Sequence, residues 1–185
     1  DPTVHNPWFT SFSWEAFSQD ELRLVPTIIA LGAADQVAGG GMRSFSRLLS
    51  SGRPVQILIR VQPHNNPGSV GEEGPFQSFR TELGYLGISH RQAMVEQSSA
   101  ARHRHMLDCF LAALEATRTS LHVINTGQSE PGRLLPLNAW LVAGAAIESR
   151  AHPFFRIDPE AGDSSSTRMD FSGNPQWDRD WPVHP

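Results

Sequence analysis

Short apolar runs alternate with amphipathic segments along this chain, and turns rich in glycine separate them. Residues 27–31 form an apolar run that predicts a strand buried on both faces, and a second run of this kind follows at 55–59. Between the two runs, apolar side chains recur three, six and seven positions after Met42, which predicts an amphipathic helix over 42–51. The order strand, glycine-rich turn, helix, strand predicts a βαβ unit with two parallel strands and a right-handed crossover.

The second half of the chain repeats this alternation. Short strands are predicted at 93–95 and 121–125. A helix is predicted between them over 102–117, with Ser99 as its N-terminal cap, and an alanine-rich helix is expected over 137–149. The predicted fold class is therefore α/β, with a mostly parallel sheet and helices on both faces.

Composition divides the chain into three parts. Residues 1–25 form an arm rich in aromatic side chains, which we expect to pack on this domain or on a neighbour. Residues 26–160 carry the α/β pattern. Residues 161–185 are rich in proline, aspartate and serine without periodicity, so we expect an extended C-terminal tail that lies along a surface or is disordered.

The charged and sulfur-containing residues exclude several kinds of chemistry within these 185 residues. All 15 basic residues are arginines, so a Schiff-base lysine and a P-loop lysine are excluded. The single cysteine, Cys109, excludes an intrachain disulfide, a cysteine-rich zinc site and a self-contained iron–sulfur cluster. The net charge is −4 and no apolar run reaches about 18 residues, so we expect no nucleic-acid partner, no membrane and a cytoplasmic location.

Ligands of open parallel sheets bind beyond the carboxyl ends of the strands. Three segments are expected there, at 32–41, 64–74 and 97–100. The first contains three successive glycines at 39–41, which lack the spacing of a dinucleotide-binding motif. A flexible turn explains them better than a phosphate cradle does.

Histidine and cysteine side chains on the predicted helix over 102–117 give no metal or catalytic pattern. His103 and His105 lie two positions apart, so on a helix they point in different directions, and we interpret them as part of a solvated face. Cys109 falls near the apolar stripe of the same helix and is interpreted as a small core residue.

Several segments resemble one protein family in their order and residues. Leu31-Gly32-Ala33-Ala34 stands where that family has Gly-Asp-Gly at the end of a strand, and Asn66-Pro67-Gly68 stands near its Asn-Thr-Gly. The family is the C-terminal thiamine-diphosphate-binding domain of pyruvate:ferredoxin (flavodoxin) oxidoreductases and related 2-oxoacid oxidoreductases. The resemblance covers roughly residues 26–160. The other matching segments are 51–59, 97–116 and, as the most specific match, 146–149 with 153–159, which is similar to a late family segment ending Pro-Leu-Phe-Arg-Tyr-Asp/Asn-Pro.

The resemblance implies a thiamine-diphosphate-binding-like fold and the position of its cofactor site. It assigns thiamine diphosphate to a site lined by Gly32, Asp35, Asn66 and Gly68, with Asp35 and Asn66 as magnesium ligands. Magnesium requires hard oxygen ligands, and Ala33 stands where the family has its aspartate. Asp35, two positions later, is therefore the candidate replacement for that carboxylate.

The resemblance also implies a role. The chain is expected to be a domain of a 2-oxoacid oxidoreductase-like protein that supplies the diphosphate and magnesium half of a thiamine site, or only its degenerate scaffold. Such a domain is not catalytic alone, because the activating glutamate and the iron–sulfur clusters would belong to other domains or chains of a larger assembly.

Two alternatives remain open from the sequence. One is a non-catalytic protein–protein interaction module built on the same fold, which would use the aromatic side chains near both ends for packing. The other is a stand-alone enzyme that binds a small anionic substrate with arginine side chains. The aromatic residues concerned are Trp8, Phe9, Phe12, Trp14, Trp177 and Trp181.

Overall fold

The computed structural model describes residues 13–61, 81–128 and 138–175. Asn66 and Gly68 therefore lie outside the described residues, as do most of the aromatic arm and the end of the tail. The strands are β1 (Ile28–Ala33), β2 (Val55–Val61), β3 (Met94–Ser99), β4 (Ser120–Asn125), β5 (Phe155–Ile157) and β6 (Met169–Asp170). The helices are α1 (Gln19–Leu22), α2 (Ala34–Gln36), α3 (Met42–Leu49), α4 (Leu83–Ser89), α5 (His103–Glu115), α6 (Ala139–Glu148) and α7 (Ser165–Arg168).

The described strands form one six-stranded sheet in the order β1-β2-β4-β3-β5-β6. The first four strands in that order are parallel, whereas β5 and β6 run antiparallel to their neighbours. The predicted α/β class with a mostly parallel sheet is confirmed. The predicted βαβ unit is confirmed as well, because β1 and β2 are parallel and α3 connects them.

The two faces of the sheet differ sharply in polarity. On one face, Val55, Ile57 and Ile59 of β2 join an apolar core with Phe45 and Leu49 of α3. The opposite face carries polar side chains at its centre, and α5 covers them. Helices thus lie on both faces, as the sequence predicts, but only one face buries a continuous apolar layer.

The predicted burial of β1 on both faces is wrong. The apolar run was expected to be buried on both faces, yet Ile28, Ile29 and Leu31 are 58%, 56% and 78% exposed. The reason is the strand order, which puts β1 at the edge of the sheet. An apolar run predicts a strand, but its composition does not distinguish an edge position from a central one.

Most other predicted elements are confirmed, while α4 was not predicted. Two glycines weaken its helical pattern, and the structure shows what they allow. A Cβ atom at Gly84 would lie 2.8 Å from the ring of Phe155, and one at Gly87 would lie 2.6 Å from a methyl group of Leu121. The glycines therefore let α4 pack directly on the sheet.

Residues 161–175, which the sequence assigns to an extended tail, include α7 and the edge strand β6. Asn174 joins this segment to the start of β5, because its side chain accepts a hydrogen bond from Phe154 N and donates one to Phe154 O, both at 2.8 Å. Within the described ranges, the helices are all too short or too polar to cross a membrane.

Replacing Gly87 by alanine tests the close packing of α4. We expect Gly87→Ala to lower the free energy of unfolding by about 1–3 kcal/mol, because the new methyl group overpacks a buried site. Gly144→Ala in α6 is the matched control, since its Cβ would meet only Ala101 Cβ at 3.9 Å. That control should be neutral or stabilise by up to about 1 kcal/mol through helix propensity. Urea unfolding of the two variants provides the measurement, and equal effects would contradict the packing argument.

Candidate functional site

The carboxyl ends of the parallel strands define the edge at which a ligand is expected. The helix α4, which follows β2, lies on the apolar face, because Gly87 contacts Leu121 and Val95. The helix α6, which follows β4, lies on the opposite face. There Ile147 clusters with Phe154, whose ring stacks on His105 of α5. Connections that leave neighbouring strands toward opposite faces open a crevice between them, here between β2 and β4.

The structure places Gly32 and Asp35 close together in the chain at this edge, but they differ in environment. A Cβ atom at Gly32 would lie 3.1 Å from Val37 and 3.2 Å from Ile59, so this glycine permits close packing between β1 and the helical segment Val37–Gly41. Asp35 lies in α2 and is exposed. The other two predicted cofactor residues, Asn66 and Gly68, lie outside the described residues.

The described residues at the end of β1 do not fit a magnesium site. Ala33 offers no side-chain oxygen, and its register partner on β2 is Arg60, whose guanidinium carries a positive charge. In the ranges that the structure describes, no three or more histidine, cysteine, aspartate or glutamate side chains are grouped to hold a metal ion.

The turn at 125–128, at the end of β4, contains residues that the sequence analysis did not select. Asn125 is fully buried, and its Oδ1 accepts a hydrogen bond from Gly127 N at 2.8 Å. Among the described residues, its Nδ2 and the buried Oγ1 of Thr126 have no hydrogen-bond partner. The sequence signal was an Asn-Thr-Gly triplet at the end of an apolar strand, but this strand is not the one that precedes the triplet in the resembling family.

Gly127 fixes the position of this turn relative to α6. Its φ is +66°, a conformation that favours glycine, and a Cβ atom there would collide with the carbonyl of Ala139. On the neighbouring strand β2, the guanidinium of Arg60 donates a hydrogen bond to Gln128 Oε1 at 3.2 Å, so a positive charge lies beside the turn.

A second polar cluster lies in the middle of the sheet, beneath α5. His122 of β4 is 1% exposed, and its Nδ1 lies 2.8 Å from Glu96 Oε2 on β3. Its Nε2 lies 2.6 Å from Gln56 Oε1 on β2, while Gln56 Nε2 donates to the carbonyl of Ala113 on α5. Glu96, His122 and Gln56, called the buried relay below, thus join three adjacent strands to the helix above them.

The geometry of the buried relay determines where its protons lie. Gln56 uses its amide nitrogen on Ala113, so its Oε1 faces His122 and accepts a hydrogen bond from Nε2. One proton is then left for the contact between Nδ1 and the carboxyl group of Glu96. Burial raises the pKa of Glu96, which favours the protonated carboxyl, whereas the contact with His122 opposes this effect.

The cysteine and histidine beside this cluster do not form a nucleophilic pair. Cys109 Sγ lies 3.8 Å from His105 Nδ1, and burial raises the pKa of the thiol to about 12. The thiolate, which is the reactive form, is therefore disfavoured. The interpretation of Cys109 as a core residue is confirmed by its burial. His105 differs from its expected solvated position, because it is half-buried against Phe154 while His103 is exposed.

A cleft of about 430 Å³ opens at the opposite end of the sheet, near the starts of β3 and β4. Its charges largely compensate one another, since Arg118 pairs with Glu160 and Arg156 pairs with Asp170. This lining gives no clear preference for an anion, so the arginine-based substrate site gains no support here. The charged lining residues are Arg23, Arg118, Arg156, Arg168, Glu115, Asp158, Glu160 and Asp170.

Comparison of the chain with protein-family models gave no match. Comparison with curated proteins gave no significant match either. Assignment of a function therefore depends on the arrangement of the residues described above.

Two substitutions at Glu96 test the buried relay. Glu96→Ala is expected to lower the free energy of unfolding by about 3 kcal/mol, because it leaves His122 buried without its partner. Glu96→Gln should stay within about 1 kcal/mol of the wild type, since its amide can donate to Nδ1. Chemical denaturation distinguishes these outcomes, and equal losses in both variants would show that the hydrogen bond contributes nothing specific.

The same pair gives a pH readout. The raised pKa of Glu96 means that the folded protein holds this proton to a higher pH than the unfolded chain does. The resulting stability is present below the ordinary value of 4.5 and is lost as the pH rises through the raised pKa. As the pH rises over this window, the free energy of unfolding of the wild type should therefore fall relative to that of Glu96→Gln. A constant difference between the two proteins would contradict the raised pKa of Glu96.

Proposed function

We propose that this chain is a domain of a cytoplasmic 2-oxoacid (pyruvate):ferredoxin/flavodoxin oxidoreductase-like protein and supplies the scaffold of the diphosphate half of a thiamine site. The observation that carries this proposal is the position of Gly32 and Asp35 at the carboxyl edge of a mostly parallel sheet. Ligands of such sheets bind at this edge. The most specific resembling segments also fall on the end of α6 and on β5.

The scaffold form of the proposal is favoured over a complete half-site. Ala33 and the neighbouring Arg60 do not suit magnesium, and Asp35 is an exposed carboxylate that belongs to no group of three or more ligating side chains among the described residues. We therefore derive no catalytic step through thiamine diphosphate. The chemistry of a 2-oxoacid oxidoreductase would be carried out by other domains or chains of the assembly.

A second candidate function, a non-catalytic interaction module, is favoured by an apolar surface beside α5. Ile29 and Leu31 of β1 are paired in register with Gln56 and Leu58, and Gln56 bonds to Ala113 of α5. The side chains of Ile29 and Leu31 thus share the sheet face that α5 covers, although α5 leaves them more than half exposed.

The exposed flank of α5 extends this surface. Leu107, Leu111 and Leu114 recur at helical spacing and are each about half exposed. These leucines lie on the side of α5 away from Cys109 and Ala113, which are the buried residues of that helix. Together with Ile29 and Leu31 they are called the β1–α5 apolar face below. Several exposed large apolar side chains on one side of a domain are typical of an interface.

Titration calorimetry with thiamine diphosphate, with and without magnesium, tests the first function. We expect no magnesium-dependent heat at roughly millimolar ligand, because Ala33 supplies no oxygen ligand and Arg60 places a positive charge beside it. Magnesium-dependent binding that disappears in Asp35→Ala but persists in Asp20→Ala would overturn the scaffold form and establish a working half-site. Asp20 is a suitable control because it is an exposed aspartate of α1, a separate element.

Charged substitutions test the interaction module. Leu111→Glu is expected to reduce hydrophobic-dye fluorescence of the purified chain, and any self-association, by about half, because it places a charge in the β1–α5 apolar face. Leu24→Glu is the control, since Leu24 is 85% exposed but lies outside this face. Equal effects of the two variants in sedimentation and dye binding would count against a specific interaction surface.

A further inference from the structure

We propose that two copies of this chain associate through the β1–α5 apolar face, with α5 of each copy packed over β1 of the other. The inference rests on the second candidate function, the interaction module, and names a second copy of the chain as its partner. Two observations carry it. One is an apolar strip of the sheet that the described helices leave exposed, and the other is a helix with an apolar outer side.

The apolar strip lies on β1, on the sheet face that carries α5. Helix α5 packs on the more central strands, because Phe110 lies over His122 of β4 and the helix contacts β3. Helix α3 packs on the opposite face. Ile29 and Leu31 share the α5 side by their register with β2, and they are 56% and 78% exposed. Helices usually cover both faces of such a sheet, so among the described elements this strip lacks its cover.

The outer side of α5 has the complementary property. The buried residues of this helix are Cys109 and Ala113. On its other side, Leu107, Leu111 and Leu114 are each about half exposed. Their spacing of four and three positions places them along one stripe. A helix with apolar residues on both sides is typical of burial between two layers, whereas the described residues provide only one.

A second copy satisfies both features in one arrangement. A twofold axis between two copies brings the leucine stripe of each α5 onto the apolar strip of the other copy's β1. The two α5 helices then lie side by side in one layer between two sheets. Each helix occupies the place that a cover helix would take on the opposing sheet. This self-complementarity favours a second copy over an unrelated partner, because the same chain carries both the strip and the stripe.

The area of the face suits a weak dimer. The exposed parts of Ile29, Leu31 and the three leucines of α5 amount to roughly 1,000 Å² over two copies, which is the lower limit for a specific interface. Exposed charges lie beside them, with Arg104 and Asp108 on α5 and Arg60 on β2, as in the polar rim of an interface. We expect a dissociation constant of roughly 1–100 μM.

Sedimentation of the full chain between roughly 1 and 200 μM tests the association. The wild type should show a monomer–dimer equilibrium. Leu31→Glu and Leu111→Glu should each weaken dimerisation about tenfold or more, because each buries a charge. Ile28→Glu is the matched control, since Ile28 is 58% exposed on the same strand but belongs to the opposite face. It should leave the dissociation constant within about twofold of the wild type.

Disulfide cross-linking tests which surfaces meet. In a Cys109→Ala background, a mixture of the Leu31→Cys and Leu111→Cys variants should form a linked heterodimer under mild oxidation, because β1 of one copy meets α5 of the other. Each variant alone should give at least about fivefold less linked dimer, since a disulfide requires the two Cβ atoms to lie close together. Melting curves like that of the wild type verify that the variants fold.

Three results would overturn the proposal. One is a chain that stays monomeric up to roughly 200 μM, because the face is then covered by another protein or by residues 1–12. Another is equal weakening by Ile28→Glu and Leu31→Glu, which would indicate pairing through the strand edge. The third is efficient linkage of Leu111→Cys alone, which would indicate contact between two α5 helices.

The dye-binding experiment with Leu111→Glu decides the interaction module separately. A monomeric chain that loses dye fluorescence in this variant retains an exposed apolar face, so the second copy is rejected and the module is kept. A monomeric chain whose dye fluorescence is unchanged in Leu111→Glu rejects both.

Discussion

The contact between His122 and Glu96 is the interaction on which the polar side of the sheet depends. A histidine and a glutamate at the centre of a sheet are costly to bury, and the fold accommodates them by pairing them across adjacent strands. Gln56 accepts a hydrogen bond from the second imidazole nitrogen and donates one to the backbone of α5. The ring of Phe110 lies over His122 with centroids 4.4 Å apart, which completes the cover.

This arrangement gives the two sides of the sheet different means of holding their helices. On the apolar side, α3 and α4 are held by close packing, and α4 approaches through glycine. On the polar side, a hydrogen bond from Gln56 positions α5 above the strands. The hydrogen bond adds a requirement on direction and distance that apolar packing does not have. The relay therefore contributes to specificity as well as to stability.

Local patterns predict the elements of this fold well and its spatial relations less well. The unit β1-α3-β2 and the helix α5 follow from periodicity, because burial of one helix face leaves a regular spacing in the sequence. The edge position of β1 does not follow from periodicity, because it depends on the order of the strands in the sheet. The helix α4 is not predicted for a related reason. Gly84 and Gly87 weaken its helical pattern, and what they contribute is close packing on Phe155 and Leu121, which are distant in the sequence.

The candidate sites show the same limit. Gly32 and Asp35 were accessible through the rule that ligands lie beyond strand ends, and both lie at that edge. His122 and Gln56 are 66 residues apart, so no spacing rule joins them. Asn125 ends a predicted strand, but its significance is a donor without an acceptor. That property exists only once the surrounding chain has folded.

The position of β1 at the edge of the sheet affects how copies of the chain can associate. Among the described strands none pairs with its outer side, so the backbone N–H and C=O groups along that side have no strand partner in the described sheet. Natural sheets usually protect such a margin with charge, proline or a bulge, whereas here isoleucine and leucine occupy it. An apolar edge strand of this kind favours pairing between the sheets of neighbouring molecules when the protein is concentrated.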